Sequence, residues 1–152
     1  VPFMSTVKEL LDQKGRNLWS IEASASVYEA IEMMSEKNIG ALTVYNDASK
    51  LAGILSERDY ARKVALVGRT SRDTLVSDIM TSSVVVAHEK TLLDSCMALM
   101  IQHKIRHLPI VEHNTPIGII TLGDMTKTII REQSETIEEL SSYVFGEQGG
   151  EG

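Results

Sequence analysis

One phrase is written twice in this chain. Gly53-Ile54-Leu55-Ser56-Glu57-Arg58-Asp59 returns as Gly118-Ile119-Ile120-Thr121-Leu122-Gly123-Asp124, with the same glycine, isoleucine, apolar residue, hydroxyl and aspartate, 65 residues on. Such self-similarity restricts the fold to two copies of one supersecondary unit. A repeat that also carries polar chemistry points to two related ligand sites.

The surroundings repeat as well. Val27, Ala30, Ile31 and Met34 answer to Leu93, Cys96, Met97 and Met100 at a shift of 66, and each set follows the i, i+3, i+4, i+7 stripe of an amphipathic helix. After each helix comes a β-branched, apolar run, 39–45 and 105–111, then a short polar turn, then the apolar strand that opens the motif. Both halves therefore predict a hairpin. The shift falls from 66 to 65 because turn 46–50 is one residue longer than turn 112–115, and exposed turns tolerate such insertions. Ahead of the helices, Ser26-Val27-Tyr28-Glu29 and Thr91-Leu92-Leu93-Asp94 read as capping boxes 65 apart, which fixes the helix starts to within one residue. Val7-Lys8-Glu9-Leu10-Leu11 and Val76-Ser77-Asp78-Ile79-Met80 predict a short helical turn before each repeat.

With 152 residues, 43% of them hydrophobic, the chain can build one ordinary core or two small ones that share an interface; a unit of roughly 60 residues is marginal alone. The expected division is repeat 1 over 7–68, repeat 2 over 76–131 and a C-terminal extension over 132–152. Residues 125–144 read as a helix with Ile130, Ile137 and Val144 at sevenfold spacing and Leu140 between them, a stripe suited to self-association. The Gly-rich end, 146–152, is expected to be a mobile tail, and Val1-Pro2-Phe3 is expected to precede a natural start at Met4.

A net charge of −6 argues against nucleic acid as the main partner, since such proteins carry a basic excess to neutralise phosphates. Charge is uneven, however. Arg58, Arg62, Lys63, Arg69 and Arg72 fall within fifteen residues holding one acid, Asp59, which gives +4 locally and leaves −10 for the rest. Such an island is either a phosphate site or a solvated helix face. The single cysteine, Cys96, lies on a helical stripe and reads as a core residue in a reducing compartment. No run approaches a membrane span and no secretory signal opens the chain, so a cytoplasmic location is expected. The four histidines show no metal-ligand spacing, and neither G-x-G-x-x-G nor a Walker A loop is present. Catalysis finds little support.

Ser56-x-x-Asp59 and Thr121-x-x-Asp124 fit the capping box, in which a hydroxyl and an acid satisfy free backbone amides. The same corner also suits a nucleotide. A helix start offers N–H groups to a phosphate, and an aspartate one turn in can accept hydrogen bonds from a ribose diol. Arg58 and Arg62 supply countercharge on one side, Arg106 and His107 on the other.

Two copies of helix, strand, strand ending in Gly-Ile-apolar-Ser/Thr-x-x-Asp, then helix, with Arg106-His107-Leu108-Pro109-Ile110-Val111 before the second motif, resemble a tandem pair of cystathionine-β-synthase (CBS) domains, a Bateman module. The likeness spans about residues 7–131. It implies a mixed α+β fold of two βαββα units packed through their sheets about a pseudo-twofold axis, with two clefts for adenosine ligands. Carried over, Asp59 and Asp124 would hold ribose hydroxyls, Ser56 and Thr121 would meet ribose or phosphate, and Ile39, Ala41, Leu108 and Pro109 would flank the base. The expected ligand is AMP, with NAD(H), ADP or ATP as alternatives. A homodimer acting on an unidentified regulated protein is the expected assembly. The halves differ in chemistry, because Arg106-His107-Leu108-Pro109 faces Gly40-Ala41-Leu42-Thr43 and Arg58 faces Gly123. The two clefts thus either prefer different ligands or share Arg58, Arg62 and Arg106 on one phosphate.

Overall fold

The two apolar stripes form helices of equal length, offset by 66 residues as predicted. The computed structural model describes residues 5–145, with side chains to residue 134. Its elements are α1 (Val7–Lys14), β1 (Ser20–Glu22), α2 (Val27–Lys37), β2 (Ala41–Tyr45), β3 (Leu51–Ser56), α3 (Glu57–Tyr60) running into a π turn (Ala61–Ala65), α4 (Val76–Ile79), α5 (Leu93–His103), β4 (His107–Glu112), β5 (Thr115–Thr121) and α6 (Leu122–Phe145). The side chains of Ile137, Leu140 and Val144, like residues 1–4 and 146–152, lie outside the described residues.

Helix starts differ between the halves. Ser26 caps α2 by accepting from the Glu29 amide at 3.1 Å. The box expected from Thr91 does not form. Leu92 is the residue before α5, so Thr91 stands one position too early to reach the N3 amide, and its hydroxyl instead accepts from the His88 amide at 3.1 Å. The helix ends match: Asn38 and Lys104 both turn left-handed, at φ 54°, and return their amides to carbonyls of the last turn.

Each repeat carries an antiparallel hairpin. β2 pairs β3 with Ala41 opposite Ser56, and β4 pairs β5 with His107 opposite Thr121. β1 adds a parallel strand with Ile21 opposite Val44, and the same register recurs as a bridge between Ala87 and Ile110. The second hairpin closes through His113 and Asn114, both at positive φ, as the twist-matched two-residue turn requires.

Leu42, Val44 and Leu55 bury one face of the first sheet beneath α2, and Leu108, Ile110 and Ile120 do so beneath α5. The opposite faces are covered too. Ala41, Thr43, Pro109 and Val111 are buried outside both helix-side cores, as expected of two sheets packed face to face. The fold is the α+β tandem of two βαββα units.

The short leading helices cross over. Val7, Leu10 and Leu11 of α1 pack with Leu93, Cys96, Met100, Leu108, Ile120 and Met125 of the second repeat, while Val76 and Ile79 of α4 pack with Val27, Met34, Leu42 and Leu55 of the first. Each fully buried leucine or isoleucine so placed contributes about 1.5–3 kcal/mol. The crossing is stitched at its start by backbone bridges, Thr6 to Leu92 and Ser26 to Leu75. It also explains the glycine of the motif. A Cβ on Gly53 would stand 2.7 Å from Met80 Sδ and 2.8 Å from the Thr81 carbonyl oxygen, and one on Gly118 would stand 3.1 Å from Leu11 Cδ2. Each repeat thus leaves a bare backbone where the other's crossing segment lies.

Two strand-to-helix corners as the candidate functional site

The repeated motif forms the predicted corner in both halves. At the first, the Asp59 amide donates to Ser56 Oγ at 3.2 Å and the Ser56 amide to Asp59 Oδ2 at 3.0 Å. At the second, the Asp124 amide donates to Thr121 Oγ1 at 3.0 Å and the Thr121 amide to Asp124 Oδ2 at 2.9 Å. Both are reciprocal capping boxes. Just before each corner the chain is fastened to the neighbouring strand alike, Glu57 amide to Gly40 carbonyl at 3.0 Å and Leu122 amide to Arg106 carbonyl at 2.9 Å.

Each motif aspartate also meets a lysine. Lys63, one turn after Asp59, lies 3.3 Å from Asp59 Oδ1 and donates to the Ile79 carbonyl at 2.9 Å. Lys14, from the end of crossing helix α1, donates to Asp124 Oδ2 at 2.6 Å and to the Ile119 carbonyl at 2.6 Å. Each ammonium bridges a crossing contact, Lys63 from Asp59 to the Ile79 carbonyl of α4 and Lys14 from α1 to Asp124 and the Ile119 carbonyl. The Lys14 side chain is the drier of the two, 29% exposed against 45% for Lys63, while Asp59 at 14% is more buried than Asp124 at 21%. Burial pushes the Asp124 carboxyl up, but the bonds from Lys14 and Thr121 outweigh it and hold the pKa below the ordinary value. Asp59 has in addition the Thr81 hydroxyl, 3.5 Å from Oδ1.

The cationic residues are partly brought together. Arg58 reaches from the first repeat to the second, where Nη1 donates to the Lys104 carbonyl at 3.2 Å, two residues from Arg106. His107 abuts Gly40 and Glu57, since a Cβ on Gly40 would meet Glu57 Oε1 at 3.3 Å and His107 Nε2 at 3.4 Å. Burial lowers the His107 pKa, opposed by the Glu57 carboxylate. Arg62 and Arg106 are exposed. The basic island itself is split: Arg69 pairs with Asp78 at 3.5 Å and Arg72 stacks on the Tyr28 ring at 3.8 Å, so two of its cations hold the inter-repeat linker.

Of the residues expected to flank a base, Ile39 is half-buried and Ala41 and Pro109 lie on the sheet face turned from the helices. Leu108 is different. Its side chain is fully buried in the second core beside Leu11 and Ile120, where it supports the strand from behind. Lys14 and Thr81 join the corners from outside the motif, and Glu57, inside it, gains a role through its contact with His107. Lys63 had a local signal, its i+4 spacing from Asp59; Lys14 stands 110 residues from its partner and had none.

No group of three or more metal-ligating side chains occurs among the described residues, and no described helix is long and apolar enough to cross a membrane.

Comparison with known proteins agrees with this geometry. The family model of the CBS domain matches twice, over residues 7–66 and 76–131. The CBS domain-containing protein CBSX3, mitochondrial, of Arabidopsis thaliana is 33% identical over 151 residues, covering 93% of this chain and 73% of that protein. The structure of a putative signal-transduction protein with CBS domains from Burkholderia ambifaria superposes with a TM-score of 0.80 at 43% identity, covering 85% of this chain and 96% of that one. The CBS domain pair of protein MJ0100, solved with 5′-methylthioadenosine and S-adenosyl-L-methionine, gives a TM-score of 0.75 at 25% identity, covering 85% and 98%. Two matched repeats, a shared fold and the duplicated Ser/Thr-x-x-Asp corner place this chain in the CBS-domain family, as a tandem CBS pair.

Proposed function

We propose that the chain is an adenosine-nucleotide sensor without catalytic activity, in which AMP at the two corners shifts the packing of the repeats, or of a homodimer, and so signals to a regulated protein in the cytoplasm. The observation that carries this reading is the corner itself, built twice with a carboxylate, a hydroxyl and a fastened strand at matching positions. Asp124 Oδ1 carries no hydrogen bond among the described residues and is free to accept from a ribose diol. Asp59 offers Oδ1 against only a 3.3 Å ammonium and a 3.5 Å hydroxyl. Ser56 and Thr121 stand beside them for ribose or phosphate, and Arg58, Arg62 and Arg106 supply positive charge at the junction of the repeats, with His107 beside them as a neutral hydrogen-bonding group. Ile39, Ala41 and Pro109 offer apolar contact to a base, with Leu108 behind the strand. An adenosine ligand is supported by the complex of the related MJ0100 pair.

The test is a thermal-shift and calorimetry panel of AMP, ADP, ATP, NAD, NADH and S-adenosylmethionine. AMP at about 100 times its dissociation constant adds about 2.7 kcal/mol, a shift of several degrees. The dissociation constant is expected in the micromolar to millimolar range, about −8 to −4 kcal/mol. NAD(H) binding in place of AMP would reassign the ligand. Silence across the panel would leave a structural adaptor, for which the two completed capping boxes suffice. Sedimentation tests the dimer, and a monomer at high micromolar concentration overturns it.

A further inference from the structure

We propose that Lys14 is a specificity residue of the second corner, selecting a ligand with an anionic group beside its ribose and rejecting the uncharged nucleoside. The inference rests on the nucleotide reading above and adds to it a residue from outside the repeated motif. Lys14 is the last residue of α1, placed at the second repeat because Val7, Leu10 and Leu11 anchor that helix in the second core. Its ammonium fills one oxygen of Asp124 and the Ile119 carbonyl, both at 2.6 Å, in a setting where both side chains are less than a third exposed.

A ribose that donates to Asp124 Oδ1 leaves Lys14 on Oδ2, so the ammonium stands beside the bound sugar. Two of its three N–H donors are used on Asp124 and Ile119, and the third is available to an anion. A nucleoside phosphate supplies one with the same molecule; adenosine does not, and the sulfonium of S-adenosylmethionine adds a like charge. The first corner lacks this device in equal strength. Thr81 follows the crossing helix there, a hydroxyl at 3.5 Å, and the cation is the more exposed Lys63 at 3.3 Å. Selection for an anion through a lysine of the crossing helix is accordingly a property of the second corner.

The experiment is calorimetric titration of the full chain with AMP and, separately, adenosine, in wild type, Lys14→Met, Lys14→Arg and Lys63→Met, with Asp124→Asn identifying the second site. Melting curves confirm folding of each variant. In wild type the second site is expected to prefer AMP over adenosine by at least about tenfold, the usual effect of one charge-assisted hydrogen bond. Lys14→Met collapses that preference toward unity, Lys14→Arg keeps most of it, and Lys63→Met leaves it intact. AMP and adenosine changing by the same factor in Lys14→Met, or not changing, overturns the role of Lys14 while the nucleotide reading stands. Wild type that binds neither AMP nor adenosine overturns the nucleotide reading and this inference with it. If Lys14→Met unfolds, the Lys14→Gln variant is read in its place against the same criterion.

Discussion

The two corners share a backbone design and differ in where their cation comes from. At the first, Lys63 belongs to the helix it follows and bonds outward to α4; at the second, Lys14 belongs to the crossing helix and bonds inward to β5. The first ion pair is local, with an exposed lysine on a largely buried aspartate, and i,i+4 pairs with a solvated cation contribute about 0–1 kcal/mol. The second joins segments far apart in sequence, so its loss loosens the hold of α1 on the second repeat. Duplication preserved the hydrogen-bonded corner, while the side chains around it diverged.

The largest expected effect separates the crossing helices. Leu11→Ala removes a fully buried side chain that packs over Gly118 and should cost 2–5 kcal/mol, as should Ile79→Ala, at 1% exposure, in the first core. Urea unfolding should show a single transition in both variants; two separated transitions would show that the halves do not stabilise each other through the crossing.

Next come the aspartates. Asp59→Asn or Asp124→Asn should weaken nucleotide binding at its own corner by about 1.5–3 kcal/mol, the worth of a hydrogen bond to a charged group. A pure cap would instead lose about 1 kcal/mol of apo stability and keep its affinity. Variants that melt early yet bind at wild-type strength would remove the site assignment, and a loss at one position alone would show a single working corner.

The motif glycines give a smaller contrast. Gly53→Ala drives a methyl into backbone and sulfur at 2.7–2.8 Å, an overpacking that should cost about 1–3 kcal/mol. Gly118→Ala meets only the flexible tip of Leu11 at 3.1 Å and should cost less. Equal losses would mean the two crossings are equally rigid.

The smallest effect is a pH dependence set by His107, which stands in the place of Ala41. With its folded pKa below the ordinary 6.5, His107 binds protons less readily folded than unfolded. Stability is therefore full above the unfolded value near 6.5 and declines as pH falls toward the folded one. Melting temperature from pH 7.5 to 5 should fall more in wild type than in His107→Gln; parallel curves would show that the histidine is not what senses the change. Asp124 adds a loss at lower pH, below its ordinary 3.8, as it protonates and releases Lys14.

Local order was readable along the chain because it rests on short-range physics. Helical spacing placed α2 and α5, β-branched apolar runs and turn residues placed both hairpins, and the Ser/Thr-x-x-Asp spacing placed both caps at the corners. The one missed cap, at Thr91, turned on a single-residue slip between a 65-residue and a 66-residue offset. Leu108 was misjudged for a related reason: alternation along β4 assigns two faces but does not say which one meets the helices.

What the sequence determined alone was the repeated unit, its register and the chemistry at each corner, since these depend on residues within a few positions of one another. Only the tertiary structure decided that α1 serves the second repeat and α4 the first. A short helix buries its apolar side against whichever core accepts it, and the accepting surface is made by glycines more than a hundred residues away for α1 and by Gly53 for α4. That choice carried Lys14 to Asp124, and with it one of the differences between the two corners.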